Sequence, residues 1–200
     1  MDIVLATRNH DKLREFRELL QNMPVRVVCC EDFSGCPDVV EDGTTLAENA
    51  LKKARAVASH TRRLTMADDS GLEVDALGGA PGIYSARYGG VQGDARSNIA
   101  RLLRELDGVP YNRRGAQFRC VIALVAPDGR ERIVEGICRG VIIASPRGAN
   151  GFGYDPVFLD EASGLTLAEM DAALKNCISH RGKAAVELKK ILPAFLNLEP

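Results

Sequence analysis

The opening 67 residues alternate short apolar runs with longer stretches whose apolar residues recur every three or four positions, and this alternation restricts the fold more than any other feature. Asp2 to Ala6 has the pattern of a buried strand, and from Asp11 to Met23 the residues Leu13, Phe16, Leu20 and Met23 recur at helical spacing. Val25 to Cys30 reads as a second strand, Thr45 to Ser59 as a second helix and Leu64 to Ala67 as a third strand. Strands that alternate with helices in this way form a parallel or mixed sheet with helices packed against it. The chain then turns rich in glycine before a third helix, Asp94 to Leu106, with Ile99, Leu102, Leu103 and Leu106 on its inner face. Gln117 to Ala126 and Glu131 to Val141 pair across the Pro127-Asp128-Gly129-Arg130 turn. A second glycine-rich stretch, Gly148 to Asp155, precedes a short helix near Leu167 to Asn176 and a last one from Ser179 to about Phe195. With no internal repeat and no low-complexity linker, the 200 residues are expected to form a single α/β domain.

Composition removes several function classes. A hydrophobic share of 46% excludes disorder, and a net charge of −1, with no segment dominated by basic residues, speaks against a duplex nucleic acid partner. The six cysteines, 29, 30, 36, 120, 138 and 177, show no Cys-x-x-Cys pair and no accompanying histidine spacing, so they are expected as reduced thiols rather than zinc ligands. No apolar run is long enough for a membrane span, and Met1 to Ala6 does not resemble a signal peptide, which leaves the cytoplasm as the default location.

Five places could carry chemistry. The loop Thr7-Arg8-Asn9-His10-Asp11-Lys12 joins a strand to a helix, so its N–H groups either meet an anion at the positive end of the helix dipole or are capped by Asn9 or Asp11. Asp68 and Asp69 follow an apolar run and precede Ser70-Gly71, which puts two carboxylates at the end of a central strand; with Glu41 they offer hard oxygen ligands suited to Mg²⁺. Lys53 falls between Leu46, Ala50 and Val57 on the face of its helix that should be buried, where an ammonium either snorkels to the rim or meets a fixed anion. His180 and Arg181 extend the inner stripe of the last helix at its first turn and can donate to a carbonyl or a phosphate. Phe152-Gly153-Tyr154-Asp155 combines aromatic faces with an acceptor, either for a stacked base or as an aromatic-rich turn.

Together these segments resemble the inosine triphosphate pyrophosphatase family, also called the dITP/XTP pyrophosphatases. The likeness spans nearly the whole chain and rests on Thr7, Asn9 and Lys12, on Glu48-Asn49-Ala50 with Lys53-Ala54, on the run from Ala67 to Tyr88, on Phe152-Gly153-Tyr154-Asp155-Pro156, and on Ser179-His180-Arg181-Gly182. It implies an elongated mixed sheet with flanking helices, forming two lobes around a nucleotide-binding cleft in a homodimer. The reaction implied is Mg²⁺-dependent release of pyrophosphate from non-standard purine nucleoside triphosphates. Asp69 is implied as general base and metal-linked carboxylate, Glu41 as a further Mg²⁺ ligand, and Ser70 with the Thr7 to Lys12 loop as triphosphate contacts. Phe152 to Asp155, Lys175, His180 and Arg181 are implied as the nucleotide and base pocket. Arg8 departs from the glycine common in relatives. The alternatives are a Maf-like pyrophosphatase for pyrimidine or modified nucleotides and a nucleotide sensor without turnover.

Overall fold

A computed structural model of the protein describes residues 1–196. Its strands are β1 (Asp2–Leu5), β2 (Arg26–Cys29), β3 (Thr65–Val74), β4 (Pro81–Gly82), β5 (Gly115–Val125), β6 (Glu131–Ile142), β7 (Phe158–Asp160) and β8 (Leu165–Thr166). Its helices are α1 (His10–Leu19), α2 (Leu46–Thr61), α3 (Ala95–Glu105), α4 (Ala172–Ile178) and α5 (His180–Phe195). The strands form one mixed sheet in the order β2-β1-β3-β5-β6-β7-β8, with β4 paired to β3. This is the mixed sheet with flanking helices expected from the alternation.

The chain forms two compact units. The first comprises residues 1–69, 120–136 and the segment from Arg181 onward; the second comprises Ser70–Arg119 and Ile137–His180. In the first, β1 runs parallel to β2, and Val4 and Leu5 pair with Thr65 and Met66 of β3. Its core takes in Ile3, Leu5, Phe16, Ala50, Val57, Met66, Ile122, Leu124, Leu188 and Leu192. In the second, Leu72, Val74, Leu102, Leu106, Phe118, Val157, Phe158 and Leu167 form the core.

Three elements differ from the expectation by more than two residues. β3 does not stop at Ala67 but continues to Val74, so Asp68 and Asp69 lie within a strand rather than at its end. The Asp-Asp-Ser-Gly run has turn composition, yet Gly71 serves close approach: a Cβ there would stand 2.5 Å from the Gly82 carbonyl oxygen, where β4 pairs. The two aspartates nevertheless lie just past the last β1 pair, Leu5 with Met66. α1 ends at Leu19 rather than Met23, ahead of Pro24, which disfavours helix in the residue before it. The short helix near Leu167 begins only at Ala172, because Asp171 caps it by accepting the Leu174 N–H at 2.7 Å.

Candidate active site

The first unit gathers four carboxylates and three cations into one network. Thr45 caps α2, whose buried face carries Leu46, Ala50 and Val57 as the spacing required. Lys53 lies on that face and meets anions rather than solvent. Its Nζ stands 2.6 Å from Glu41 Oε1 and 3.1 Å from Asp69 Oδ1, and donates to the Asp68 carbonyl at 2.8 Å. Burial pulls the Lys53 ammonium pKa down, but Asp69, Glu41 and Asp68 outweigh it and hold the pKa above the ordinary lysine value.

The neighbouring aspartates are pushed in opposite directions. Burial raises both, but Asp68 Oδ2 is 2.9 Å from Lys12 Nζ and 3.2 Å from Arg181 Nη2, and the two cations hold its carboxyl well below the usual range. At Asp69 burial prevails over Lys53 and Lys12, with Glu41 adding repulsion, and the carboxyl lies above its ordinary value. One strand therefore presents a carboxyl held below its ordinary pKa beside one raised above it, and a raised carboxyl suits the work of a general base.

Asp68 is fixed from below. Arg181, in the first turn of α5 and only 2% exposed, donates through Nη1 to Glu15 at 2.6 Å and through Nη2 to Asp68. Glu15 is itself buried on α1.

The Thr7 to Lys12 loop leaves β1 and enters α1. Asn9 caps the helix: its Oδ1 accepts the Asp11 and Lys12 N–H groups at 2.9 and 3.1 Å, and Thr7 Oγ1 accepts the Asn9 N–H. Lys12 turns toward Asp68, whereas Arg8 stands 3.9 Å from exposed Asp38, His10 lies 4.0 Å from Glu31, and Asp11 pairs with Arg14.

The second unit holds a separate cluster. Asp155 Oδ2 accepts the Lys175 ammonium at 2.7 Å and the Phe152 N–H at 2.8 Å, with both members of the ion pair buried. The same ammonium sits 4.9 Å over the Phe152 ring, a cation–π arrangement. Gly153 supplies a positive φ of 63° in the turn. Tyr154 turns inward, 4% exposed, its hydroxyl donating to the Ser85 carbonyl at 2.9 Å. The His180 ring stacks on Phe118 with centroids 4.6 Å apart. Ser70 directly follows Asp69 in β3 and is half-buried.

Glu15 escaped the sequence reading, and Asn49 stood within one of its motifs but was given no role. Glu15 lies one helical turn before Leu19 on the buried side of α1, and Asn49 one turn before Lys53 on α2. A polar residue at the period of an apolar face was the available signal in both cases.

Among the described residues no group of three or more histidine, cysteine or acidic side chains is arranged to hold a metal ion by itself. A Mg²⁺ delivered with a phosphate ligand needs only one or two protein carboxylates. Glu41 and Asp69, drawn to a single ammonium in a network with more carboxylates than cations, fit that requirement. All six cysteines are free thiols. No helix among the described residues is long and apolar enough to cross a membrane.

A model of the Ham1 family matches residues 3–191. The chain is 52% identical over 192 residues to a dITP/XTP pyrophosphatase of Desulforamulus reducens, with 96% of each chain covered. It is 51% identical over 187 residues to a dITP/XTP pyrophosphatase of Geobacter sulfurreducens, with 94% of each covered. Among solved structures, a HAM1 protein from Coxiella burnetii superposes with a TM-score of 0.87 at 41% identity, covering 97% of this chain and 99% of that one.

Proposed function

The chain belongs to the Ham1 family, and from that membership and the Glu41–Lys53–Asp69 centre we propose that it hydrolyses non-standard purine nucleoside triphosphates, ITP, dITP and XTP, to the monophosphate and pyrophosphate, removing them from the nucleotide pool. The observation that carries the chemistry is Asp69, a carboxyl raised by burial yet held between Lys53 and Asn49.

Glu41 and Asp69 would hold Mg²⁺, which when bound neutralises phosphate charge and acidifies a coordinated water. Asp69 takes a proton from the attacking water, whose oxygen bonds to the α-phosphorus. The bond from that phosphorus to the bridging oxygen breaks, and pyrophosphate leaves with the electron pair. Lys12 and Lys53 offset the negative charge that develops. Thr7, Asn9, Lys12 and Ser70 are assigned to the triphosphate. Arg8 and His10 are assigned to it through their side chains, and Asp11 through its backbone N–H at the start of α1.

The base is assigned to Phe152, Gly153, Tyr154, Asp155, Lys175, His180 and Arg181. Tyr154 contributes by fixing the turn through Ser85, and Phe152 offers the ring face. Glu15 and Asp68 accept from Arg181 and fix its guanidinium, and the donors of His180 and Arg181 are assigned to an acceptor such as a 6-oxo group. A 6-amino base would present a donor there instead, and a buried mismatch of that kind discriminates by roughly 10⁴. A homodimer in the cytoplasm is part of the same proposal.

Hydrolysis of dITP in ¹⁸O-labelled water tests the point of attack. The label is expected in dIMP and absent from pyrophosphate. Label in pyrophosphate, or release of dIDP and phosphate, would contradict attack at the α-phosphorus.

A further inference from the structure

The Glu48-Asn49-Ala50 segment is the motif to which the proposed reaction gives no task. It opens α2 behind the Thr45 cap, whose hydroxyl accepts the Glu48 N–H at 3.1 Å. The chain before that cap, residues 37–44, is neither helix nor strand, yet it carries Glu41. Two side chains in the first turn of α2 hold it in place. Glu48 Oε2 accepts the Thr44 N–H at 2.7 Å and the Thr44 hydroxyl at 2.9 Å. Asn49 Oδ1 accepts the Gly43 N–H at 2.8 Å, while its Nδ2 donates to Asp69 Oδ2 at 3.3 Å.

One amide, only 1% exposed, thus ties the backbone two residues after Glu41 to the carboxylate of Asp69. One helical turn on, Lys53 ties the same two residues through charge. An ammonium on a flexible stem accepts a range of geometries, whereas a planar amide with fixed donor and acceptor edges sets a spacing. Gly43 permits the approach: a Cβ there would stand 2.6 Å from Asn49 Oδ1 and 2.9 Å from Glu48 Cβ.

The geometry points to Asn49 as a positioning residue that sets the separation of Glu41 and Asp69 and so tunes their affinity for a divalent cation. This role presupposes the metal-assisted hydrolysis proposed above. Asn49 itself is assigned no contact with the reacting atoms. Gly43 is the second half of the same device, the point at which the Glu41 segment is hooked to the amide.

The test compares the wild type with Asn49→Ala, Gly43→Ala and the double variant, each first checked for native circular dichroism and cooperative melting. Mn²⁺ binding to the protein without added phosphate is read from the loss of the free-ion electron paramagnetic resonance signal, and dITP turnover is followed across a Mg²⁺ titration. Each single variant is expected to weaken Mn²⁺ binding by about 10- to 100-fold, the usual effect of removing a group that orients metal ligands. The Mg²⁺ concentration for half-maximal rate should rise in parallel, while KM for dITP at saturating Mg²⁺ changes little. Because both substitutions cut one tie, the double variant should be no worse than the worse single one.

Folded variants with wild-type Mn²⁺ affinity and Mg²⁺ dependence would overturn the role, as would a wild type that binds no Mn²⁺. If Asn49→Ala does not fold, Gly43→Ala decides alone, since it displaces the segment without touching Asp69. A wild type that binds Mn²⁺ and loses it in the variants, but turns over no nucleotide, would sink the hydrolase proposal and leave the positioning role standing. Turnover of dITP with unaltered variants would do the reverse.

Discussion

Asp69→Asn is expected to lower kcat for dITP by about 10²- to 10⁴-fold, the range for loss of a general base, with KM within a few-fold of the wild type. The substitution keeps the size of the side chain while removing its basicity, and its one carbonyl oxygen can accept from only one of the two donors, Asn49 and Lys53, that Asp69 serves. Lys53 retains Glu41 at 2.6 Å and the Asp68 carbonyl at 2.8 Å, so no ammonium is left buried alone. Stability should therefore part company with activity. The folded pKa of Asp69 is raised above its ordinary value, chiefly by burial. A carboxyl of that kind suits the fold best when protonated, and its contribution to stability declines as pH rises from the ordinary aspartate range through the folded pKa. At neutral pH the asparagine removes that cost while giving up one acceptor and the ion pair with Lys53, so the variant should melt within a few degrees of the wild type. A variant that is inactive only because it melts early would contradict the assignment, and one with normal kcat would remove the base altogether. Steady-state kinetics and thermal melts on one preparation separate these results.

The second large effect is structural. Arg181→Met should destabilise the protein by about 3–5 kcal/mol, the cost of stripping one partner from a buried ion pair. Glu15 and Asp68 would both lose the guanidinium that neutralises them, while Lys12 and Lys53 stay beside Asp68. For a chain of this length the loss corresponds to a fall in Tm on the order of 10 °C. Adding Glu15→Gln to Arg181→Met should restore part of it, because the double variant no longer buries that carboxylate without its partner. Strictly additive losses in denaturant titrations would show that the two residues act separately. The two predictions diverge by design: Asp69→Asn costs rate with little loss of stability, and Arg181→Met costs stability first.

Much of the first unit was legible because its elements are regular. The apolar run of β1, the helical period of α1 and α2, and the position of Lys53 among Leu46, Ala50 and Val57 follow from local spacing alone. What escaped has two physical origins. The extension of β3 past Ala67 depends on neighbours distant in sequence: β5 lies next to it in the sheet, and β4 pairs at Leu72 and Glu73, where a side chain on Gly71 would meet the Gly82 carbonyl. Residues with turn composition become strand when a partner supplies the hydrogen bonds, and β4, with two residues, carries no periodicity to announce itself. β7 and β8, with three and two residues, escaped for the same reason. The other origin is sequence distance. Glu15 meets Arg181 across 166 positions, and Asn49 meets Asp69 across 20, pairings that burial and charge select only once the chain is folded. The residues themselves offered Asp68, Asp69, Lys12 and Arg181 as candidates; the fold adds Glu15 and gives Asn49 its partners, Gly43 and Asp69.

The most direct test of the proposed function is the relative kcat/KM for ITP, dITP, XTP, GTP, ATP and TTP with Mg²⁺, resolving monophosphate and pyrophosphate from diphosphate and phosphate. The account predicts conversion of ITP, dITP and XTP to monophosphate and pyrophosphate with kcat/KM exceeding that for ATP by roughly 10⁴, the discrimination expected of a buried donor–acceptor mismatch. Preference for TTP, or binding of all six nucleotides without turnover, would contradict it.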